Sequence, residues 1–394
     1  MNRMQFGVFI PPHHLPTTYN PTYALQRDVE IVQLIDAIGF DEAWFGEHHS
    51  GGVELINDPM LFIAHVANLT RHIRLGTGVV SLPYHNPLWV ADRLALLDHL
   101  TRGRVMLGVG PGALATDAAM IGITPEEQRD ALEEDMDVLM HLMRSDEPIS
   151  VKTKRYQLVG ARLQLDFYQD PHPPVLAAGV VSPSGPRIAG KHGLGLISIG
   201  ATMKAGVDVL AMHWDVLAQR AAEFEQTADR DEWRVVGLMH LAESREQALA
   251  EIRHGLRDWC DYLQHTAAAP QIQVHGNDLD EYVEWIQSTG SAIIGTPDDA
   301  IHHIENLVEQ SNGGFGRYLL FDHNWSNFEA KKRHYGLFSE FVIPHFKRTN
   351  VRMQQSEAAL RVVRDELAGA QREAISAFRA RHDQEEKQKS DARG

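Results

Sequence analysis

Short apolar segments alternate with amphipathic segments along most of this chain, and this alternation constrains the fold more than any other feature. Residues 5–10 form a first buried-strand pattern, and residues 21–38 follow with apolar side chains at helical spacing. Repeated units of this kind favour parallel strands joined by crossover helices. We assign eight such units, which predicts an α/β fold, a (β/α)₈ TIM-type barrel with insertions and a C-terminal helical extension.

An open, doubly wound parallel sheet is the alternative fold for the same alternation. In that fold a glycine-rich turn follows the first strand, whereas this chain has a Pro-Pro-His-His sequence there, ending at His14. We therefore expect the barrel. Its remaining strands are predicted at residues 43–46, 73–82, 104–109, 175–179, 195–200, 235–241 and 317–322.

Three further segments lie outside the repeat. Residues 156–167 alternate polar and apolar side chains, which predicts a hairpin on the flank of the barrel. Residues 268–290 contain no clear barrel element, as expected of a lid or a linker. We assign residues 1–349 to the barrel domain and residues 350–394 to a charged helical extension with a disordered tail.

Charge and cysteine content exclude several classes of function. The chain has 53 acidic and 37 basic side chains, a net charge of −16, and a surface of that charge repels nucleic acids and anionic lipids. No apolar run is long enough to span a bilayer and no signal peptide is evident, so we expect a cytoplasmic protein. Cys260 is the single cysteine, which excludes an internal disulfide and a thiolate metal cluster.

Polar residues cluster where the predicted strands end, which is the active face of barrel enzymes. Glu47, His48 and His49 follow the second strand. Adjacent strand side chains point to opposite faces, and no His-x-His or His-Glu-x-x-His spacing is present, so we predict no metal site. His13 and His14, after the first strand, are expected to pack or hydrogen-bond at the rim.

The segment after the fifth strand resembles an anion site. Ser182-Pro-Ser-Gly-Pro186 leads into a predicted helix at residues 187–192, and hydroxyls with free backbone N–H groups at a helix start bind phosphate well. A simple helix cap is the alternative interpretation. In the third strand, two interior glycines, Gly76 and Gly78, suggest close approach by a flat ring, or a bulge at the rim.

Six sequence segments, in this order and spacing over residues 4–123, together resemble the bacterial-luciferase-like flavin-dependent monooxygenases. They are Phe45-Gly-Glu-His-His-Ser50, Gly76-Thr-Gly-Val-Val-Ser-Leu-Pro83, Asn86-Pro87, Leu97-Asp98, Gly103-Arg104 and Gly108-Val-Gly-Pro-Gly112. The runs at residues 46–50, 80–85 and 108–113 look most like the limonene monooxygenase branch of that family. Shorter runs at residues 170–175 and 295–297 extend the match over most of residues 4–346.

The resemblance implies a two-component reaction. Reduced FMN would arrive from a separate NAD(P)H:flavin reductase, and the chain has no convincing dinucleotide fingerprint of its own. With O₂ as cosubstrate, one oxygen atom would pass to a small apolar substrate such as a terpene or a cyclic ketone. The flavin would carry the difficult chemistry, while the protein orients it and excludes water. Family members are commonly oligomeric, so a homo-oligomer is expected.

The resemblance also assigns residues. His48 matches the active-site histidine of the family, and we name it and Glu47 as the catalytic pair. Gly78-Val79 matches a peptide that is often cis beside the flavin. Gly110-Pro111 stands where luciferases carry a cysteine–arginine pair, so we move phosphate binding to the serine segment. The predicted cofactor-binding residues are Thr77, Gly78, Val79, Gly110, Gly179, Ser182, Ser184 and Gly185.

Two other functions are compatible with the same barrel. A deazaflavin- or flavin-dependent hydride transferase would use no oxygen, and the limonene-like segments argue against it. A non-catalytic flavin-binding relative would not need the Glu47-His48-His49 sequence on the active face. The substrate, and the choice among epoxidation, hydroxylation and Baeyer–Villiger insertion, stay open at this point.

Overall fold

Parallel strands close into a barrel, as predicted. The computed structural model describes residues 3–11, 13–15, 19–199, 209–267 and 274–392. The strands are β1 (Gln5–Ile10), β2 (Glu42–Phe45), β3 (Arg74–Thr77), β4 (Val80–Ser81), β5 (Val105–Gly110), β6 (Ile149–Lys152), β7 (Gln157–Ala161), β8 (Val175–Gly179), β9 (Gly195–Ile199), β10 (Trp233–Leu241), β11 (Ile293–Gly295) and β12 (Arg317–Phe321).

Helices follow most of the barrel strands. Proline at the first helical position and an Asn or Asp cap begin several of them, including the helix after β1, where Asn20 accepts from two backbone N–H groups. The helices are α1 (Pro21–Ala37), α2 (Pro59–Val66), α3 (Pro87–Thr101), α4 (Ala115–Met120), α5 (Pro125–Arg144), α6 (Ser184–His192), α7 (Val209–Glu223), α8 (Arg245–Ile252), α9 (Leu256–His265), α10 (Leu279–Thr289), α11 (Pro297–Gln310), α12 (Phe328–Leu337), α13 (Ile343–Lys347) and α14 (Val351–Asp391).

The barrel closes through strands β1, β2, β3, β5, β8, β9, β10 and β12, which pair in that order and all in parallel. β12 returns to β1, with Gln5 opposite Arg317 and Phe9 opposite Phe321. The short β4 continues β3 along β5, and β11 adds to the outside of β10. The carboxyl ends of all these strands therefore meet at one face, where barrel enzymes place their active sites.

Two apolar layers hold the barrel together. The lumen is filled by one set of buried side chains, which includes Trp44, Met106 and Leu319. A larger layer packs the outer faces of the strands against the helices. Within the lumen the indole of Trp44 lies against the third strand, where a Cβ placed on Gly76 would come within 2.3 Å of the ring. The flat ring that requires glycine at that position is therefore a tryptophan of the protein itself.

A third apolar cluster, which was not predicted from the sequence, lies at the active face. It is built largely on α9 and α10, and Trp259, Tyr262 and Tyr282 are among its buried side chains. Part of the segment that showed no barrel element is therefore helical at Leu279–Thr289, while residues 268–273 lie outside the described residues. The tyrosines and tryptophan of this cluster form a wall above the barrel.

Other differences from the predicted elements are local. The flanking hairpin is β6 with β7, so it begins before residue 156 and ends at Ala161. β11 was not predicted, because three residues carry too little pattern to be recognised. Within the described residues, no helix combines the length and apolar content that crossing a membrane requires.

The chain divides into two compact units, residues 1–347 and residues 348–394. The second unit is the helix α14, Val351–Asp391, with no buried residue. The helix thus continues to Asp391, through most of the tail that was predicted to be disordered. Strong helix formers and ion pairs at helical spacing, such as Lys389 with Glu386, account for that extension.

Candidate active site

An apolar cavity of about 180 Å³ lies at the carboxyl ends of the barrel strands. Its walls come from strand ends and from α9, so residues far apart in sequence share one space. Its polar lining residues include His13, Glu47, His48 and Glu54. The principal apolar lining residues are Phe9, Leu114, Ile199, Val236, Leu238 and Phe321.

Glu47 is a fixed anion at the edge of this cavity. It is 3% exposed, and its Oε1 accepts from Nε2 of His85 at 2.7 Å and from Nε2 of His49 at 2.9 Å. Its Oε2 accepts from the backbone N–H of Ser81 at 2.8 Å. Burial alone would raise the pKa of Glu47, but these hydrogen bonds outweigh it and lower the pKa to about 2. Glu47 therefore stays ionised at any physiological pH.

His48 lies between two carboxylates. Its Nδ1 is 2.9 Å from Oδ2 of Asp117, and its Nε2 is 3.2 Å from Oε2 of Glu54. Burial by itself would lower the pKa of His48, but the charges of Glu54 and Asp117 prevail and hold the pKa above its ordinary value. The arrangement favours a protonated imidazole that faces the apolar cavity.

Asp117 and Glu54 were not predicted as site residues. Asp117 lies on α4 and also accepts from the backbone N–H of His49 at 3.1 Å and from the hydroxyl of Ser50. Glu54 lies in a bridge that pairs it with His13. A lone acidic residue among alanines, in the short helix that follows β5, is the sequence signal that marks Asp117. Glu54 has no comparable signal.

The wall beside His48 exposes backbone without side chains. Gly46, Gly78 and Gly237 all line the cavity, and the Gly78–Val79 peptide is cis, as the family resemblance implied. Glycines let a planar ring approach the main chain closely. The apolar walls and this glycine surface fit the isoalloxazine ring of a flavin, which the predicted residues Gly78 and Val79 would contact.

The other predicted cofactor residues lie outside the described lining of this cavity. The hydroxyl of Thr77 bonds to the backbone of Gly108, accepting from its N–H at 2.9 Å and donating to its carbonyl at 2.8 Å. A Cβ on Gly110 would come within 2.8 Å of Val79, and a Cβ on Gly179 would come within 3.0 Å of the ring of His213. These residues support the site by close packing.

The serine segment begins α6. Oγ of Ser182 and Oγ of Ser184 are 2.8 Å apart, and Ser184 is the first residue of the helix. A Cβ on Gly185 would lie 2.2 Å from the carbonyl oxygen of Ala178, so only glycine allows the helix to start this close to β8. Two hydroxyls thus meet at the N-terminus of a helix, while phosphate binding there stays a prediction.

Histidines and carboxylates are numerous at this face, yet they pair with one another. Among the residues that the structure describes, no group of three or more His, Cys, Asp or Glu side chains is placed to hold a metal ion. The paired side chains at this face can hold protons and form hydrogen bonds beside an apolar space.

Comparison with known proteins agrees with this geometry. The sequence model of the luciferase-like monooxygenase family matches residues 4–312. Limonene 1,2-monooxygenase of Rhodococcus erythropolis is 44% identical over 348 residues, which cover 87% of this chain and 87% of that protein. 4-Hydroxyprotoasukamycin monooxygenase of Streptomyces nodosus subsp. asukaensis is 40% identical over 348 residues, which cover 88% of this chain and 93% of that protein.

The fold is also that of a solved flavoprotein. The oxygenating constituent of 3,6-diketocamphane monooxygenase from Pseudomonas putida, a type II Baeyer–Villiger monooxygenase in complex with FMN, superposes with a TM-score of 0.71. The two chains are 22% identical, and the match covers 87% of this chain and 98% of the other. At that identity the likeness concerns the fold.

Proposed function

This chain belongs to the luciferase-like monooxygenase family, and from that premise we propose that it uses reduced FMN and O₂ to add one oxygen atom to a small apolar substrate such as a terpene or a cyclic ketone. The chain is a flavin-dependent monooxygenase. The geometry of the cavity supports the substrate class and the roles of individual side chains.

One observation carries the assignment of roles: a histidine with a raised pKa faces an apolar cavity beside a glycine surface. Bound reduced flavin supplies the electrons that activate O₂. His48 would hold the proton that must be delivered when one oxygen atom leaves as water, and it would be kept charged by Glu54 and Asp117. The surrounding apolar side chains would exclude bulk water.

Glu47 has a different role in this proposal. With a pKa of about 2 it cannot donate a proton near neutral pH. It would instead fix the positions of His49, His85 and the backbone at Ser81, and so hold the polar edge of the cavity rigid. Glu47 is therefore a positioning residue beside the proton-holding His48.

The phosphate of FMN would bind at the start of α6. Ser182 and Ser184 offer hydroxyls there, and the helix N-terminus offers free N–H groups and a partial positive charge. A separate NAD(P)H:flavin reductase would supply the reduced flavin. One of the relatives, from Acinetobacter baylyi, is named as the oxygenase component of a flavin-dependent monooxygenase.

The test of this function is a coupled assay. The chain, a flavin reductase, NADH and FMN are incubated in air with a panel of monoterpenes and cyclic ketones, and products are analysed by mass spectrometry. We expect a product heavier by one oxygen atom for at least one compound, and none when the chain or the FMN is omitted. A panel without any oxygenated product, under conditions where reduced FMN is consumed, would refute the proposed substrate class.

A further inference from the structure

Three buried polar atoms on side chains that line the apolar cavity have no hydrogen bond among the described residues: Nδ1 of His13, Nε1 of Trp259 and Oε2 of Glu54. Oε2 of Glu54 forms an ion pair with Nε2 of His48 at 3.2 Å, whereas the two nitrogens have neither a hydrogen bond nor an ion pair. His13 is 7% exposed and Trp259 is 4% exposed. A buried polar atom without a hydrogen bond is unfavourable, so two of them on one cavity point to a ligand that satisfies both.

Of the two nitrogens of the His13 ring, Nε2 faces a carboxylate, and Nδ1 has no hydrogen-bond partner among the described residues. Its Nε2 faces Oε1 of Glu54 at 3.5 Å, the carboxylate that also faces His48. A neutral ring therefore keeps its proton on Nε2, toward the carboxylate, and offers a lone pair at Nδ1. Its other contacts are aromatic, with Tyr262 edge to face at 6.0 Å and Phe321 at 6.2 Å between ring centroids.

Trp259 and His13 share a neighbour, Tyr262. Trp259 and Tyr262 are three residues apart on α9 and so lie on the same face of that helix, and Tyr262 contacts the ring of His13. Trp325 packs edge to face on Trp259, with ring centroids 5.2 Å apart, and supports its position. An indole N–H can only donate a hydrogen bond.

We propose that the natural substrate is an apolar molecule that carries a hydroxyl group, and that His13 and Trp259 bind this hydroxyl. This proposal rests on the proposed function. It restricts the substrate class from apolar compounds in general to apolar compounds with a hydroxyl group. A hydroxyl donates to Nδ1 of His13 and accepts from Nε1 of Trp259. A hydrocarbon leaves both groups without a partner, and a ketone oxygen accepts from Trp259 alone.

A matched set of ligands tests the proposal. Limonene, carveol and perillyl alcohol share one carbon skeleton, and the two alcohols differ from limonene by a single hydroxyl. Binding is measured by calorimetry in anaerobic buffer saturated with reduced FMN, where no turnover occurs. We expect one alcohol to bind at least about tenfold more tightly than limonene, which corresponds to about 1.4 kcal/mol. Equal or weaker binding of both alcohols overturns the proposal.

Variants that retain an aromatic ring distinguish hydrogen bonding to the ligand from aromatic packing. His13→Phe removes both imidazole nitrogens and Trp259→Phe removes the indole nitrogen, while each keeps an aromatic ring, and each should reduce the alcohol preference to about twofold or less. His14→Gln is the control, because the His14 ring pairs with Asp28 at 2.8 Å and does not line this cavity; it should keep the preference. A preference that survives in both Phe variants refutes the assigned residues.

The proposed function is tested independently in the same samples. After air is admitted with a flavin reductase and NADH, any of the three compounds that gains an oxygen atom supports the monooxygenase function. Oxygenation of limonene without an alcohol preference would therefore refute the hydroxyl site alone. Tight alcohol binding without any oxygenated product would count against the proposed function and leave the hydroxyl site in place.

Discussion

His48 and Asp117, which are 69 residues apart in sequence, form a hydrogen bond of 2.9 Å between Nδ1 and Oδ2. The pair joins the end of β2 to α4, two elements that the barrel brings to its active face. With Glu54 on the other ring nitrogen, Asp117 explains why a largely buried histidine has a raised pKa. The pair therefore links the architecture of the barrel to the protonation state at its active site.

Asp117→Asn removes the charge and keeps the side-chain shape. Burial alone lowers the pKa of His48 and the two carboxylates raise it, so the variant should have a lower His48 pKa. The limb of the pH–rate profile that reports loss of the His48 proton should move to lower pH. NMR titration of the labelled histidine checks the assignment, with exposed Asp130→Asn on α5 as control. An unchanged profile would mean that Asp117 does not tune His48.

Glu47→Gln should reduce stability in a pH-dependent way. The folded pKa of about 2 lies below the ordinary value of 4.5, so the stabilisation is complete above pH 4.5 and is lost as pH falls toward 2. The shift corresponds to a loss on the order of 3 kcal/mol at neutral pH. Chemical denaturation at pH 7 and pH 3 should show a gap between wild type and variant that narrows in acid. Exposed Glu126→Gln should show no such gap, and a constant gap for Glu47→Gln would contradict the account.

Ser184→Asp should separate FMN from riboflavin. A carboxylate at the first residue of α6 is compatible with the helix but would face the phosphate that only FMN carries. We expect reduced FMN to bind at least about tenfold more weakly, with riboflavin affinity nearly unchanged. Ser356→Asp, on the exposed helix α14, serves as the control. Equal losses for both flavins would leave the serine segment as a simple helix start.

Gly76→Ala tests the contact between the third strand and Trp44. The new Cβ would lie 2.3 Å from the indole, and Trp44 cannot move easily, because it is fully buried and its Nε1 donates to Glu42 at 2.9 Å. Overpacking of this kind should cost about 3 kcal/mol. Gly336→Ala, in α12 with no heavy atom within 4 Å, should stabilise by about 0.5–1 kcal/mol. Similar denaturation midpoints for the two variants would contradict this packing.

Much of the fold was predictable, because strand and helix periodicity is encoded locally. All eight barrel strands were recognised, since each is a short run of mostly buried residues. The site was predictable where residues follow strand ends, as Glu47 and His48 do. Asp117 was missed because its partner, His48, lies far away in sequence. Glu54 was missed because its position depends on a β-bridge with His13. His13 was expected to be a rim residue, and its place in the cavity follows only from the packing of α9.

The monooxygenase assignment is tested most directly by the origin of the oxygen atom in the product. Turnover under ¹⁸O₂, with a flavin reductase, NADH and FMN, should give a product that contains one ¹⁸O atom, and the folded variant His48→Ala should instead release most of the oxygen as hydrogen peroxide. A product that lacks ¹⁸O, or turnover that continues without oxygen while a flavin or deazaflavin donates hydride, would contradict the account.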